Sequence, residues 1–253
     1  MKSGIDLWKI LCIITFVKLA VFSDIHSNIE ALDCVLEKIS LENVDGIICC
    51  GDIVGYGPEP NECIEKIKRL NDLKIVAGNH DRAAIGLFDV NWFNDNAKAA
   101  ILWTSSQLTE ESKKFLTELP EKIVEENFTA VHGSPREPIN EYLIKPSDMQ
   151  ENLQFFETQI CFIGHSHYPF VYTSNGIYTE LRESESIQIV SKSIINAGSV
   201  GQPRDGDNRA CFMILEGNEI TFHRVEYDIE KVQNKMREEF LPEALITRLS
   251  YGK

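Results

Sequence analysis

Positive charge is scarce in this chain. Its 253 residues carry 25 Lys and Arg against 39 Asp and Glu, a formal net charge of −14. Such a surface repels phosphate backbones and disfavours stable, sequence-independent binding to DNA or RNA. A small phosphorylated substrate is not excluded, because bound cations invert the field within one cleft. Also missing is any Cys-x-x-C pair among the seven cysteines, and Cys49-Cys50 sits inside an apolar run. Reduced thiols in the core of a cytoplasmic protein are the expectation. No apolar run is long enough to span a bilayer. Ile10–Val17, behind Lys2 and Lys9, superficially resembles a signal peptide, but it is short and no small-x-small cleavage site follows it. Residues 1–16 read as an N-terminal extension, with Val17 an alternative start, and residues 17–253 as one domain. Repeats at solenoid spacing, low-complexity segments and linkers are absent as well.

What is present is an alternation of strand and helix. Val17–Phe22 is a short apolar run followed at once by Ser-Asp-Ile-His. Ser27-Asn28-Ile29-Glu30 matches a capping box, and Ile29, Leu32, Val35, Leu36 and Ile39 recur at helical spacing. The pattern repeats with the apolar run Gly46–Cys50, the Gly/Pro-rich loop Gly51–Pro60, and Ile64, Ile67 and Leu70 on a helix. A third copy runs through Lys74–Ala77, the loop Gly78–Asp81, and helical text from about Asp95 to Leu119. Strands alternating with helices imply a largely parallel sheet with ligand chemistry at the carboxyl ends of its strands. The second half is richer in strand. Phe128–Val131 and Ile160–Ile163 each end in a His-bearing loop, and Phe170–Ser174 and Ile177–Leu181 flank the hairpin signal Asn175-Gly176. Ile187–Val190, Ser193–Asn196, Ala210–Leu215 and Glu219–Val225 continue as short strands, and the tail from Ile229 is helical with Pro242 interrupting it.

Five of the six histidines, His26, His80, His132, His165 and His167, follow directly on apolar strand-like runs, whereas His223 lies within a strand pattern. Asp24, Asp52, Asn79 and Asp81 occupy equivalent loops. Taken singly, each has an ordinary structural explanation: a polar turn before a capped helix, a strand end, a left-handed turn residue. Strand ends in an open α/β sheet converge on one edge, so together these side chains can share one cleft.

The ordered series Asp-x-His, Gly-Asp, Gly-Asn-His-Asp, His and Gly-His-Ser-His resembles the calcineurin-like metallophosphoesterase superfamily, from Val17 to about Val225. The resemblance implies a four-layer α/β/β/α sandwich of two mixed sheets flanked by helices. It implies that Asp24, His26 and His167 hold one divalent metal ion, that Asn79, His132 and His165 hold a second, and that Asp52 bridges the two. Manganese is the first expectation, and iron or zinc fits the same mixed N/O donors. His80 is implied as the general acid, with Asp81 aiming its ring. Two such metals, roughly 3.5–4 Å apart, supply hydroxide near neutral pH and neutralise the phosphoryl oxygens.

Arg204, in a glycine-studded late loop, is the candidate for substrate phosphate; the alternative is a surface ion pair with Asp205 or Asp207. Tyr56 is either a base-stacking residue or a loop anchor. The motif departs from protein phosphatases and symmetrical dinucleoside-tetraphosphate hydrolases at two points. Tyr56 stands where their Gly-Asp-x-Val-Asp-Arg-Gly motif has arginine, and Asp81 stands where Gly-Asn-His-Glu has glutamate. The chain looks more like the small prokaryotic phosphodiesterases, with a small nucleotide or related phosphate ester as substrate. A phosphomonoesterase or protein phosphatase is the alternative enzyme, and a non-catalytic scaffold the alternative outside enzymes.

Overall fold

The computed structural model describes residues 17–181, 183, 184 and 186–253; the N-terminal extension assigned to residues 1–16 lies outside them. Twelve strands among these residues form two six-stranded sheets. In the first, β1 (Lys18–Phe22), β2 (Gly46–Cys49) and β3 (Leu73–Ile75) are parallel, connected through α1 (Ile29–Ser40) and α2 (Pro60–Lys68). β11 (Ala210–Glu216), β12 (Glu219–Val225) and β9 (Ser186–Gln188) extend it antiparallel from β1. The second sheet is built from β4 (Lys122–Val124), β5 (Phe128–Val131), β6 (Ile160–Ile163), β7 (Phe170–Thr173), β8 (Tyr178–Glu180) and β10 (Ser193–Asn196). Its order is β4-β5-β6-β10-β7-β8, with β5, β6 and β10 parallel.

Strand side chains alternate between faces, and that alternation sorts the core into layers. Along β1, Ala20 and Phe22 pack with Leu32 and Val35 of α1 and Ile64 and Ile67 of α2. Val21, between them, packs instead with Phe128, Phe162 and Ile195 of the second sheet. β6 divides the same way: Ile160 and Phe162 face the first sheet, while Cys161 and Ile163 pack with Met149 of α6 (Pro146–Asn152) and with Leu153. The layers are therefore helix, sheet, sheet, helix, the arrangement expected from the sequence. Fully buried rings such as Phe22, Phe162, Phe212 and Phe222 each contribute about 1.5–3 kcal/mol by leaving water.

Several element boundaries differ from the sequence reading. The helical text from Asp95 to Leu119 is two helices, α4 (Asp95–Gln107) and α5 (Glu110–Glu118). Thr109 breaks the run: its backbone is extended and its hydroxyl accepts the Ser112 N–H, capping the second helix. The cap of α1 is Asn28, whose Oδ1 accepts the Ala31 N–H at 3.1 Å; Ser27 is held at φ 55° and does not serve. The strand over Ile187–Val190 is shifted to Ser186–Gln188 by its pairing with β12. The helical tail is α7 (Ile229–Glu238) and α8 (Glu243–Arg248), with Pro242 between them. No helix among the described residues is long and apolar enough to cross a membrane.

Backbone hydrogen bonds continue past the strand ends and lace the loops together. Val200 and Gly201 donate to the carbonyls of Ser23 and Asp24 at 3.0 and 2.9 Å, and Ala197 donates to Ile163 at 3.0 Å. Gly201 approaches so closely that a Cβ there would lie 1.8 Å from the Ile25 carbonyl oxygen. Gly201→Ala is therefore expected to cost about 1–3 kcal/mol through overpacking. Differential scanning calorimetry reads this at roughly 2–4 °C per kcal/mol for a chain of this size. A melting temperature within about 1 °C of wild type would show that the contact can relax freely.

Candidate metal centre

Five loops at strand ends bring the predicted side chains to one place. Asp24 and His26 follow β1, and Asp52 follows β2. Asn79 and His80 open α3 (Asn79–Ala84) after β3, His132 follows β5, and His165 and His167 follow β6. All eight are at most 3 % exposed. His223 is remote from them in character, lying in β12 with its ring stacked on Phe212. The loops hold their shape under backbone strain. Of the eleven non-glycine residues with positive φ among the described residues, seven lie here: Asp24, His26, Ser27, Asp52, Tyr56, His165 and His167. Each such residue costs on the order of 1–3 kcal/mol unless its surroundings fix it. The fixing is visible: Asp24 donates its N–H to Gly51, Ile25 and His26 donate to Asp52, and Ser27 donates to Ile53, all at 2.9–3.0 Å.

The imidazoles share one design. His26 Nδ1 lies 3.2 Å from the Val54 carbonyl oxygen, His132 Nδ1 2.7 Å from that of Cys50, and His167 Nδ1 2.5 Å from that of Gln202. For His165 the bonded atom is Nε2, 3.1 Å from the Asn140 carbonyl. A carbonyl only accepts, so each of these ring nitrogens carries the proton and donates. The other nitrogen of each neutral ring then presents a lone pair. His26 Nε2 and His167 Nε2 face each other at 3.1 Å, as do His132 Nε2 and His165 Nδ1. Lone pairs opposed at that distance repel unless a cation or a proton lies between them.

The carboxylates complete the donor set. Asp24 Oδ2 accepts the His165 N–H at 3.0 Å. Its Oδ1 is buried without a hydrogen-bond partner, 3.2 Å from His167 Nε2 and 3.6 Å from His26 Nε2. Asp52 Oδ1 accepts the His80 backbone N–H at 2.9 Å. Asp52 Oδ2 points between the two histidine pairs, 3.3 Å from His132 Nε2 and 3.7 Å from His26 Nε2. Asn79 Oδ1 lies 3.1 Å from His132 Nε2. Among the described residues, three groups have potential ligand atoms all within 4.8 Å of one another: Asp24, His26 and His167; Asp52, His132 and His165; and His26, Asp52 and His80. An orphaned buried carboxylate oxygen and tautomer-locked imidazoles fit divalent cations.

The electrostatics follow from burial opposed by neighbours. Burial disfavours the Asp24 and Asp52 charges, but the surrounding imidazoles outweigh it and hold both carboxyls below their usual range. Burial also pulls His132 down, yet Asp52 and Asp24 overcome it and push the ring up to about 9. His165 is lowered to about 3 by burial and by His132, and His167 to about 4 by burial and by Arg204.

Two expectations about neighbouring residues need correction. Asp81 does not aim His80: its two oxygens accept the backbone N–H groups of Val54 and Gly78 at 3.1 and 2.9 Å, bracing the loops after β2 and β3. Burial and the Asp52 charge raise its carboxyl to about 7. The His80 ring is instead clamped by Tyr56, His26 and Phe93, with centroids 4.4, 4.8 and 4.9 Å away. Gly55, at φ +101°, leaves the room, since a Cβ there would lie 2.4 Å from His80 Nδ1. The alternative pairing of Arg204 with Asp205 or Asp207 is also wrong, because Asp205 bonds Arg224 and Asp207 bonds Arg209. Arg204 Nη2 donates to the Tyr56 hydroxyl at 3.2 Å and to Gln202 Oε1 at 3.1 Å. Tyr56 is buried, and its ring is a loop anchor. Three residues beside the centre had not been singled out in the sequence: Tyr142, whose ring stacks on His165 at 3.7 Å, Gln202, and Arg248, which donates to Gln202 Oε1 at 3.2 Å.

A sign for metal binding follows from His132. Below its raised pKa the metal-free ring holds a proton, and a ligating imidazole must be neutral. Loading manganese near neutral pH is expected to release about one proton, with affinity rising as pH approaches about 9. Calorimetry in two buffers of different protonation enthalpy measures this release; identical heats in both would contradict it.

Comparison with known proteins agrees with this geometry. The sequence profile of the calcineurin-like phosphoesterase superfamily domain matches residues 17–219. An uncharacterized protein of Methanocaldococcus jannaschii is 42% identical over 243 residues, covering 93% of this chain and 98% of its own length. The crystal structure of a metallophosphoesterase from Sphaerobacter thermophilus superposes with a TM-score of 0.86 at 41% identity, covering 94% of this chain and 100% of that one. A symmetrical bis(5'-nucleosyl)-tetraphosphatase of Baumannia cicadellinicola is 36% identical over a shorter stretch of 67 residues, 26% of this chain and 23% of its own. With its sandwich and its buried histidine–aspartate cluster, the chain belongs to the calcineurin-like phosphoesterase superfamily and is a phosphoric ester hydrolase.

Proposed function

We propose that the protein is a dinuclear metal-dependent phosphodiesterase acting on a small nucleotide or related phosphate ester. In this reading Asp24, His26 and His167 hold one divalent ion, manganese in the first instance. Asn79, His132 and His165 hold the other, and Asp52 is shared. The supporting observation is the pair of opposed imidazole couples, each ring locked by a backbone carbonyl, with Asp52 Oδ2 between them. Divalent ions bound there supply an activated water and neutralise phosphoryl oxygens.

The chain's own residues then have separable tasks. Asp52 fixes the His80 loop through the 2.9 Å bond to its backbone N–H. His80 stands at the leaving oxygen as general acid. Burial holds its ring well below the ordinary range, with Asp52 opposing, so the ring is neutral before substrate arrives. A phosphate anion beside it favours the protonated form and restores an acid. Arg204 has no carboxylate within ion-pair distance among the described residues, and its Nε is buried without an acceptor, which suits bonding to a phosphoryl oxygen. Tyr56, in place of the arginine of protein phosphatases, favours the diesterase over the phosphomonoesterase reading.

A manganese-supplemented screen of mono- and diesters, led by bis-p-nitrophenyl phosphate and including dinucleoside polyphosphates, tests the reading, with Asp52→Asn as the inactive control. His80→Ala is expected to lower kcat by about 10²–10⁴-fold while metal content, by elemental analysis, stays near wild type. Loss of both together would make His80 a ligand, as the His26–Asp52–His80 grouping allows. For Arg204→Ala a rise in KM is expected, and unchanged kinetics would remove it from the site.

A further inference from the structure

Among the described residues the His80 ring makes no hydrogen bond, and its Nδ1 is buried without a partner. In this it differs from the four imidazoles of the candidate metal centre, each tied to a backbone carbonyl. Those rings have one nitrogen committed and the other aimed. His80 has no such tie, and the carboxylate beside it in sequence, Asp81, is occupied by the N–H groups of Val54 and Gly78. The His80 backbone is fixed by its bond to Asp52 Oδ1 at 2.9 Å, but a fixed backbone still leaves the side chain several rotamers. Whatever orients the ring must act by packing.

Three rings do so. Tyr56 is held in turn by Arg204 Nη2 at 3.2 Å, and His26 by the Val54 carbonyl at 3.2 Å. The third, Phe93, meets the imidazole edge to face, with centroids 4.9 Å apart and planes at 71°. Phe93 stands in the connection between α3 and α4, and that connection is itself fixed. Its N–H donates to the Val90 carbonyl at 3.3 Å, and the next residue, Asn94, caps α4 by accepting the Ala97 N–H at 3.1 Å. Phe88 packs against its ring at 5.9 Å, and the ring rests on a cluster that joins Ala97 and Ala100 of α4 to Val232 and Met236 of α7. A phenyl ring offers no conventional donor or acceptor. It can therefore fix the direction of an imidazole without committing either nitrogen, which suits a group that must gain and lose a proton.

We propose that Phe93 is the positioning residue of the general acid: its ring holds the His80 imidazole in the rotamer that delivers a proton to the leaving oxygen. This rests on the reading of His80 given above and adds the group that aims it. With no polar atom for phosphate or metal, the Phe93 side chain acts through His80. In the step it serves, the oxygen of water bonds to phosphorus and the P–O bond to the leaving group breaks. The electron pair of that bond stays on the departing oxygen, which takes the proton from the His80 ring. A proton of the attacking water, released to solvent, balances the one the ring gives up. A misplacement of about 1 Å can cost on the order of 10²-fold in such a transfer, and only a leaving group that needs the proton feels the loss.

Leaving groups of different basicity test the assignment, because p-nitrophenolate departs readily without a proton and the more basic phenolate gains from one. On the manganese-loaded protein, Phe93→Ala is expected to lower kcat for diphenyl phosphate at least about tenfold more than for bis-p-nitrophenyl phosphate, with manganese content near wild type. Phe93→Tyr, which keeps the ring, should restore most of the loss, and Phe93→Leu, closer in volume, carries the same test should the alanine variant not fold. In the His80→Ala background, Phe93→Ala should cost less than about twofold further, since the residue it acts through is gone. In the metal-free protein, NMR of Phe93→Leu should show the His80 ring resonances broadened by a second rotamer, with those of His223 unchanged. Equal loss on the two esters, a full further loss in the His80→Ala background, or sharp single His80 resonances would overturn the proposal. His80→Ala separates the two levels of inference. Selective loss on diphenyl phosphate there, absent in Phe93→Ala, overturns the Phe93 assignment alone; equal loss on both esters in His80→Ala overturns the general-acid reading with it.

Discussion

An imidazole committed at one nitrogen to a backbone carbonyl has its other nitrogen decided for it. Four histidines here obey that constraint, and the carbonyls responsible belong to Val54, Cys50, Gln202 and Asn140. Each carbonyl lies in a loop that exists to connect the sheets to their neighbours. The sandwich thereby fixes not only where each ring sits but which tautomer it adopts and where its lone pair points. Without the carbonyls, rings at the same positions could turn their N–H groups inward and hydrogen-bond with one another. With them, the centre is a set of converging acceptors that a cation satisfies.

Such a centre is unfavourable to build. Seven left-handed non-glycine residues and two buried carboxylates are concentrated in a few loops. The cost is offset by the layers on either side. Strand alternation places Phe22, Phe162, Phe212 and Phe222 in the core, and backbone hydrogen bonds from Val200, Gly201 and Ala197 carry the rigidity of the sheets into the loops. The strain is therefore located where function needs fixed geometry, and the stability is located elsewhere.

What the sequence made legible follows from the same division. Apolar runs mark strands, and polar residues placed directly after them must emerge at strand ends, so His26, Asp52, His132 and His165 could be gathered into one cleft before any coordinates. The layered fold was legible only through the family resemblance that the ordered Asp, Asn and His motifs carry; the apolar runs by themselves implied strands alternating with helices and a largely parallel sheet. Asp81 was misread because the sequence does not reveal that two backbone N–H groups, of Val54 and Gly78, occupy its carboxylate. Arg248 and Tyr142 were invisible for another reason. They reach the site by packing across long stretches of chain, from a terminal helix and from a loop without periodicity, and no local pattern distinguishes them from surface residues. The break at Thr109 within an otherwise helical run was likewise a matter of one side chain choosing to cap.

The acidic chain and the anionic substrate are reconciled by distance. At physiological ionic strength, exposed charges are screened beyond about 8 Å, so the surface carboxylates act weakly on a phosphate that has entered the cleft. The proposed donor set has two carboxylates, four imidazoles that would be neutral as ligands, and an amide. Two divalent ions held there would leave a net charge of about +2. Arg204, which has no Asp or Glu within ion-pair distance among the described residues, adds to that field on the cleft side. Neutral imidazoles matter here as much as the metals do. Carboxylates in their place would bind the ions more tightly and cancel the charge that draws the phosphate in. A histidine-rich centre sacrifices some metal affinity to keep its pull on the substrate, and in a chain of net charge −14 that pull has to be generated locally.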